Sequence, residues 1–243
     1  MVHVLQVCVV MLAAFVAAFL SGSIGSGGGL LLLPVLSSIL GVQLAVPMLT
    51  SVQIVSNASR ACFSFDQIRW RALLSFILLA IPCTLIGGFA FVHLNKVLIM
   101  HMIGILLLVY LGINLLQQKD SGYHQSKKAF LPLAGLAGFL SGLIGTAGPL
   151  GPAAFMSLEL QPLEFIATDA MCSLILHAVK IAFYQSMLNI PSNIWALSFL
   201  CALMTIVGSW CGRRLTQLLP QQIFRRVVMG SLAISSLLLI IRV

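Results

Sequence analysis

A glycine-rich break inside an apolar run occurs twice in this chain. Phe19-Leu20-Ser21-Gly22-Ser23-Ile24-Gly25-Ser26-Gly27-Gly28-Gly29-Leu30 returns 120 positions later as Phe139-Leu140-Ser141-Gly142-Leu143-Ile144-Gly145-Thr146-Ala147-Gly148-Pro149-Leu150. Inside a bilayer the backbone has no water to bond, so non-helical stretches survive only where they are buried in protein or line a cavity. Corresponding breaks in two halves of a chain point to a ligand site built from discontinuous helices. The repeat is therefore the feature to which the rest of the sequence must be fitted.

The surrounding residues put these breaks in a membrane. Hydrophobic residues make up 60% of the 243, charged residues only 7%, and the mean hydropathy is +1.11, well outside the balance of a soluble domain. The net charge of +8 would suggest nucleic acid in a soluble protein. Here the Lys and Arg residues form short clusters between apolar runs, as expected for cytoplasmic loops, and no nucleic-acid partner is implied. Met1 to Leu20 has no positively charged leader and is not read as a cleaved signal peptide. Six scattered cysteines without a CxxC pair read as small core hydrophobes.

Each half contains five apolar segments: roughly 4–20, 30–40, 43–64, 71–92 and 97–117, then 131–145, 149–158, 163–186, 194–212 and 223–242. A span of about 30 Å of hydrocarbon takes about 20 helical residues. The last three segments of each half qualify, whereas 30–40 and 149–158 reach about halfway. Each short pair reads as a re-entrant hairpin, with Pro34 and Pro152 fitting short irregular helices. The expected fold is an all-α polytopic membrane protein of two inverted repeats, each a glycine-broken re-entrant hairpin plus three transmembrane helices. Residues 1–118 form the first repeat, 119–130 a cytoplasmic linker and 131–243 the second.

The correspondence extends past the glycines. Asn57 meets His177, Arg60 meets Lys180 and Phe63 meets Phe183 at the same offset, and Gly104 meets Gly230 at a slightly larger one. Basic loops then relate the halves. Arg69 and Arg71 flank the third-to-fourth connection of the first half, and Lys119, Lys127 and Lys128 lie in the linker. The equivalent Asn189-Ile190-Pro191-Ser192-Asn193 is uncharged, and Arg213, Arg214, Arg225 and Arg226 surround the following turn. An odd number of crossings per half and this shift of the basic side both imply inversion, with the termini outside the cytoplasm.

Several of these residues resemble a known family. Gly22…Gly25-Ser26-Gly27-Gly28-Gly29-Leu30…Pro34, then Ala45-Val46…Thr50-Ser51, Gly87-Gly88, and Ser209…Gly212-Arg213-Arg214-Leu215 are similar to the TauE/SafE membrane proteins. That resemblance, over nearly the whole chain, implies export of sulfite or organosulfonate anions across the cytoplasmic (inner) membrane.

An anion site can be argued from the residues alone. The returning leg of each hairpin starts at depth and aims free N–H groups at the tip, an end with about half a positive charge. Gly25, Gly27, Gly28 and Gly29, with Gly145 and Gly148, permit close approach, and Ser26 and Thr146 add hydroxyl donors. The competing reading is that the glycines serve helix packing; two aligned breaks favour the site. Arg60 and Lys180 are either cations offered to an anion or side chains that snorkel to the interface. Lys180, on the side where positive charge is disfavoured, is the better candidate. Asn57 and His177 stand one turn earlier.

Asp169 and His177 are candidates for proton coupling, Asp169 being alternatively a carboxylate in the first turn of its helix. Glu159 and Glu164 read as solvated loop residues. His3, His93, His101 and His124 lack ligand spacing, so neither metal nor cofactor is implied. The expected function is a secondary transporter of a small anion by alternating access, with the lipid bilayer as the other partner and no oligomeric state implied. A passive anion channel would use the same donors. An intramembrane serine hydrolase, with Ser21 or Ser141 as nucleophile and His177 as base, is opposed by the repeat: Asn57 stands in the histidine's equivalent place.

Overall fold

A computed structural model describes residues 4–24, 28–95, 97–99, 101–102, 105, 109, 130–147, 151, 154–155, 158, 160 and 162–216. Among the described residues the regular structure is entirely helical. The longer elements are α1 (Val4–Ile24), α2 (Gly28–Leu40), α3 (Val42–Cys62), α4 (Trp70–His93), α5 (Phe130–Ile144), α6 (Pro162–Met187) and α7 (Ser192–Thr216), with a 3-10 turn at Phe65–Gln67 before α4. The expected segment 223–242, most of 97–117 and 149–158, and Lys119, Lys127, Lys128, Arg225 and Arg226 lie outside the described residues.

Three stretches are long and apolar enough to cross a membrane among the described residues: Trp70–His93, Glu164–Met187 and Ile194–Gly212, with hydropathies of 2.2, 1.5 and 1.9. Their outward faces are apolar. On α4, Leu74, Leu78, Ile86 and Phe89 are exposed, Leu78 to 81%, while Leu73, Phe76, Ala80, Thr84, Gly87 and Phe91 recur every three or four residues on the buried side. That is the pattern of a helix with lipid on one face and protein on the other.

The segment 43–64, expected to be a span, differs. It forms a helix of 21 residues, about 32 Å long, but it is not among those apolar enough to cross. The reason is its position: α3 packs against α2, α6 and α7, and Gln53, Ser56, Asn57 and Arg60 point inward. The other boundary differences are local. The first leg of the leading hairpin, expected over 4–20, continues to Ile24. Pro34 is accommodated inside a 13-residue α2 rather than breaking it, and Gly41, at φ 75°, joins α2 to α3 alone. The cysteines are not uniformly core: Cys172 and Cys201 are buried, Cys8 and Cys62 exposed, and all six are free thiols.

Helix pairing crosses between the halves. The first leg α1 lies along α7, and α5 lies along α4; these are the two most extensive contacts. Both are made by small residues that let backbones touch. Gly212 faces the Phe19 carbonyl, and Gly87 faces the Phe139 carbonyl, with Phe19 and Phe139 at the equivalent positions of the two breaks. Likewise Gly22 meets Ser209 and Gly142 meets Thr84. A Cβ on Gly22 would lie 2.6 Å from the Ser209 carbonyl oxygen, and one on Gly138 would lie 2.7 Å from the Ala80 Cα. A side chain at these places therefore has to force two backbones apart.

Overpacking a tight core costs about 1–3 kcal/mol, and more where backbone must move. Gly138→Val and Gly142→Val are accordingly expected to lower the melting temperature and monodisperse yield of the detergent-solubilised protein sharply. Leu78→Ala, on the lipid face, is expected to change stability by less than about 0.5 kcal/mol. Size-exclusion profiles and thermal melts of the three variants check this.

Candidate functional site

Two polar stripes face one another in the middle of the molecule. On α3, Gln53, Asn57 and Arg60 are spaced four and three residues apart and all are buried. On α6, Asp169, Ser173 and His177 recur every four residues, with Asp169 and His177 each 4% exposed. Such spacing stacks side chains on one helical face, and α3 and α6 pack together. The stripes enclose a cavity whose other walls are Ser21 of α1, the first turn of α2 at Gly28 and Gly29, and Ser141, Thr146 and Ala147 at the second break. Its volume of about 30 Å³ holds roughly two water molecules.

The charged groups are arranged around this space. Arg60 is 8% exposed, its Nη2 donates to the Asn57 side-chain oxygen, and it lines the cavity. It does not snorkel to the interface. Asp169, on the opposite stripe, is within electrostatic range of Arg60. Its Oδ1 lies 3.2 Å from where a Cβ on Gly151 would sit, so the carboxylate rests against Gly151. The reading of Asp169 as a first-turn carboxylate fails, because α6 already begins at Pro162. His177 presents a buried Nδ1 with no hydrogen-bond partner among the described residues.

Lys180 is elsewhere. Its ammonium is 1% exposed and donates to the Ser141 carbonyl at 3.1 Å, the Ser141 Oγ at 2.9 Å and the Gly145 carbonyl at 2.8 Å. One turn on, Tyr184 donates its hydroxyl to the Gly142 carbonyl. These are carbonyls at the C-terminal end of α5, which have no helical successor to bond them all. Gly145 turns the chain out of the helix at φ 84°, a conformation glycine adopts without steric cost. Lys180 does not line the cavity: Arg60 faces it, and Lys180 holds the break behind it.

The same hydrogen bonds bear on the hydrolase alternative. Ser141 Oγ is engaged by Lys180 rather than by His177, so the serine–histidine pair of that reading is not formed.

Glycine geometry separates the roles of the first break. Gly28 lines the cavity, but its missing Cβ makes room for the Ala17 carbonyl of α1, at 2.5 Å, not for a ligand. At Gly29 the neighbours are the Gln53 amide and the Thr146 hydroxyl, bringing the two breaks together. Gly25, Ser26, Gly27, Gly148 and Glu159 lie outside the described residues. Glu164 is not a solvated loop residue: in the first turn of α6 it pairs with Arg69, before α4, raising the guanidinium's pKa through that hydrogen bond and the carboxylate's charge. The Arg69 backbone N–H also donates to Thr168 Oγ1 at 3.0 Å, fastening this connection to α6.

The family model described as sulfite exporter TauE/SafE matches residues 10–239. The chain belongs to the TauE/SafE sulfite exporter family. It is accordingly an integral membrane protein of a transporter family, and its apolar helices agree with that. No curated protein and no solved structure matches it.

Four neutral polar residues lining the cavity are not among the binding residues expected from the sequence: Gln53 and Ser173, and Ser21 and Ser141, which enter there only as nucleophiles. The signal was present for Gln53 and Ser173. Gln53 stands one turn before Asn57, and Ser173 one turn before His177, at the same offset of 120. At Gly145 any other L-residue must take the left-handed conformation, at about 1–2 kcal/mol. Gly145→Ala is expected to lower stability by about that much, and Gly145→Asn by less, as read by thermal melts of the purified protein.

Proposed function

We propose that this chain is a secondary transporter that moves a small anion, a sulfur oxyanion such as sulfite or an organosulfonate, across the cytoplasmic membrane by alternating access. The observation that carries this reading is the cavity between the two breaks. It brings a buried guanidinium, the N-terminal turn of α2 and an unpartnered imidazole nitrogen to one place. A buried cation is costly unless paired, and a helix N-terminus favours negative charge. Asn57 orients Arg60, Thr146 and Ser141 supply hydroxyls, and an oxyanion complements all of them. The domain reading follows the same symmetry. The exchanged pairing of α1 with α7 and α5 with α4 supports two repeats, at 1–118 and 131–243 around a cytoplasmic linker, related by inversion.

Asp169 supports coupling to protons. While ionised, it competes with the substrate for Arg60; once protonated, it leaves the guanidinium to the anion. One proton then accompanies each bound monoanion.

Uptake of sulfite into proteoliposomes with and without a pH gradient tests the reading. Arg60→Met is expected to abolish accumulation against a gradient, and Arg60→Lys to keep part of it, because the charge survives without the bidentate fork. Asp169→Asn is expected to remove the dependence on the pH gradient while substrate still binds. Dissipative flux only, with no accumulation under any gradient, would favour a channel. Inversion is tested separately by cysteine labelling in a background free of native cysteines. Residues 66–70, 119–128 and 213–226 are expected to react from the cytoplasmic side and 187–193 from outside; labelling of 187–193 and 213–226 from one side would defeat it.

A further inference from the structure

The second break contains an arrangement that anion binding does not explain. The Lys180 ammonium has three N–H donors, and three oxygens from two residues receive them: Ser141 O, Ser141 Oγ and Gly145 O, at 2.8–3.1 Å. The group is 1% exposed and lies outside the cavity lining, so no bound anion offsets it there. What surrounds it is a cage of neutral oxygens at the carboxyl end of a broken helix, where the macrodipole contributes about half a negative charge. In carriers with discontinuous helices, half-helix carboxyl ends and unwound carbonyls are where a coupling cation binds.

We propose that Lys180 is a tethered cation: its ammonium fills a monovalent-cation site at the carboxyl end of α5, so the second break closes without a free coupling ion. Lys180 is thus a positioning residue. It acts through the backbone of Ser141 and Gly145, holding Thr146 and Ala147, the next two residues of the chain, against the cavity. The arrangement also accounts for the divergence of Arg60 and Lys180, equivalent in sequence. A guanidinium is a planar fork suited to an oxyanion, whereas an ammonium is a compact point charge suited to a cage of carbonyls.

The test removes the tether and supplies the cation. Lys180→Ala deletes the atoms from Cγ to Nζ, which propylammonium replaces. In purified Lys180→Ala, ammonium or propylammonium chloride is expected to raise the melting temperature by at least about 2 °C, with no such rise in the wild-type protein. Tetramethylammonium, which has the charge but no N–H, is expected to do nothing. In proteoliposomes, sulfite uptake by Lys180→Ala is expected to fall at least about tenfold in tetramethylammonium salts, equivalent to about 1.4 kcal/mol, and to recover at least about threefold with propylammonium. The uptake arm rests on the carrier reading above. The stability arm does not, so absence of sulfite uptake by wild-type protein would count against that reading alone. Lys180→Ala that folds yet gains nothing from either amine in melting temperature overturns the tethered-cation proposal. Should Lys180→Ala not accumulate, Lys180→Met decides. Met fills the space without donating, so wild-type melting and uptake in that variant overturn the proposal, and loss of both supports it.

Discussion

The end of a buried helix leaves carbonyls with too few N–H groups to bond, and this structure depends on how those carbonyls are satisfied. At the second break the Gly145 N–H closes the Ser141 carbonyl at 3.0 Å, and two side chains from one neighbouring helix do the rest: Lys180 and Tyr184, a turn apart on α6, donate to Gly145 and Gly142, with Lys180 also reaching Ser141. Hydrocarbon offers no alternative partner, and each unsatisfied group would cost several kcal/mol. The bonds therefore fix α5 against α6. They also fix where the chain leaves the helix, and through Gly145 they determine which residues arrive at the cavity wall. The polar site in front of the break is available because the break behind it is closed.

The second constraint is the closeness of backbones. Apolar burial contributes little to association between helices in lipid, so contact must come from packing at short range. Gly22, Gly87, Gly138, Gly142 and Gly212 bring α1 onto α7 and α5 onto α4 until carbonyl oxygens occupy the space of absent side chains. These interfaces join helices far apart in the sequence. The helices α1 and α5 are consequently supported by α7 and α4, and α3 and α6 are left to face each other across the centre.

Between α3 and α6 the charges are sorted by chemistry. The guanidinium faces the cavity with an amide to orient it, the ammonium faces a cage of carbonyls, and the carboxylate of Asp169 lies within range of the guanidinium. A buried arginine and a buried aspartate in one small space limit each other's freedom to bind anything else.

Much of this was legible in the chain itself. Helix-length apolar runs, the doubled glycine breaks and the offset that equates Asn57 with His177 and Arg60 with Lys180 are properties of composition and period, which act locally. Asp169 also stands out in the sequence, as a carboxylate in an apolar run does whatever surrounds it; that it lines the cavity is visible only in the fold. The polar stripe of α3 was less well read: its spacing is helical, but whether such a helix spans lipid or sits inside a bundle depends on its neighbours. The division of labour between Arg60 and Lys180 was decided by tertiary structure alone. Equal position in a repeat fixes where a Cα lies, whereas the partner of a long flexible side chain is set by the carbonyls and cavities that other helices bring within its reach.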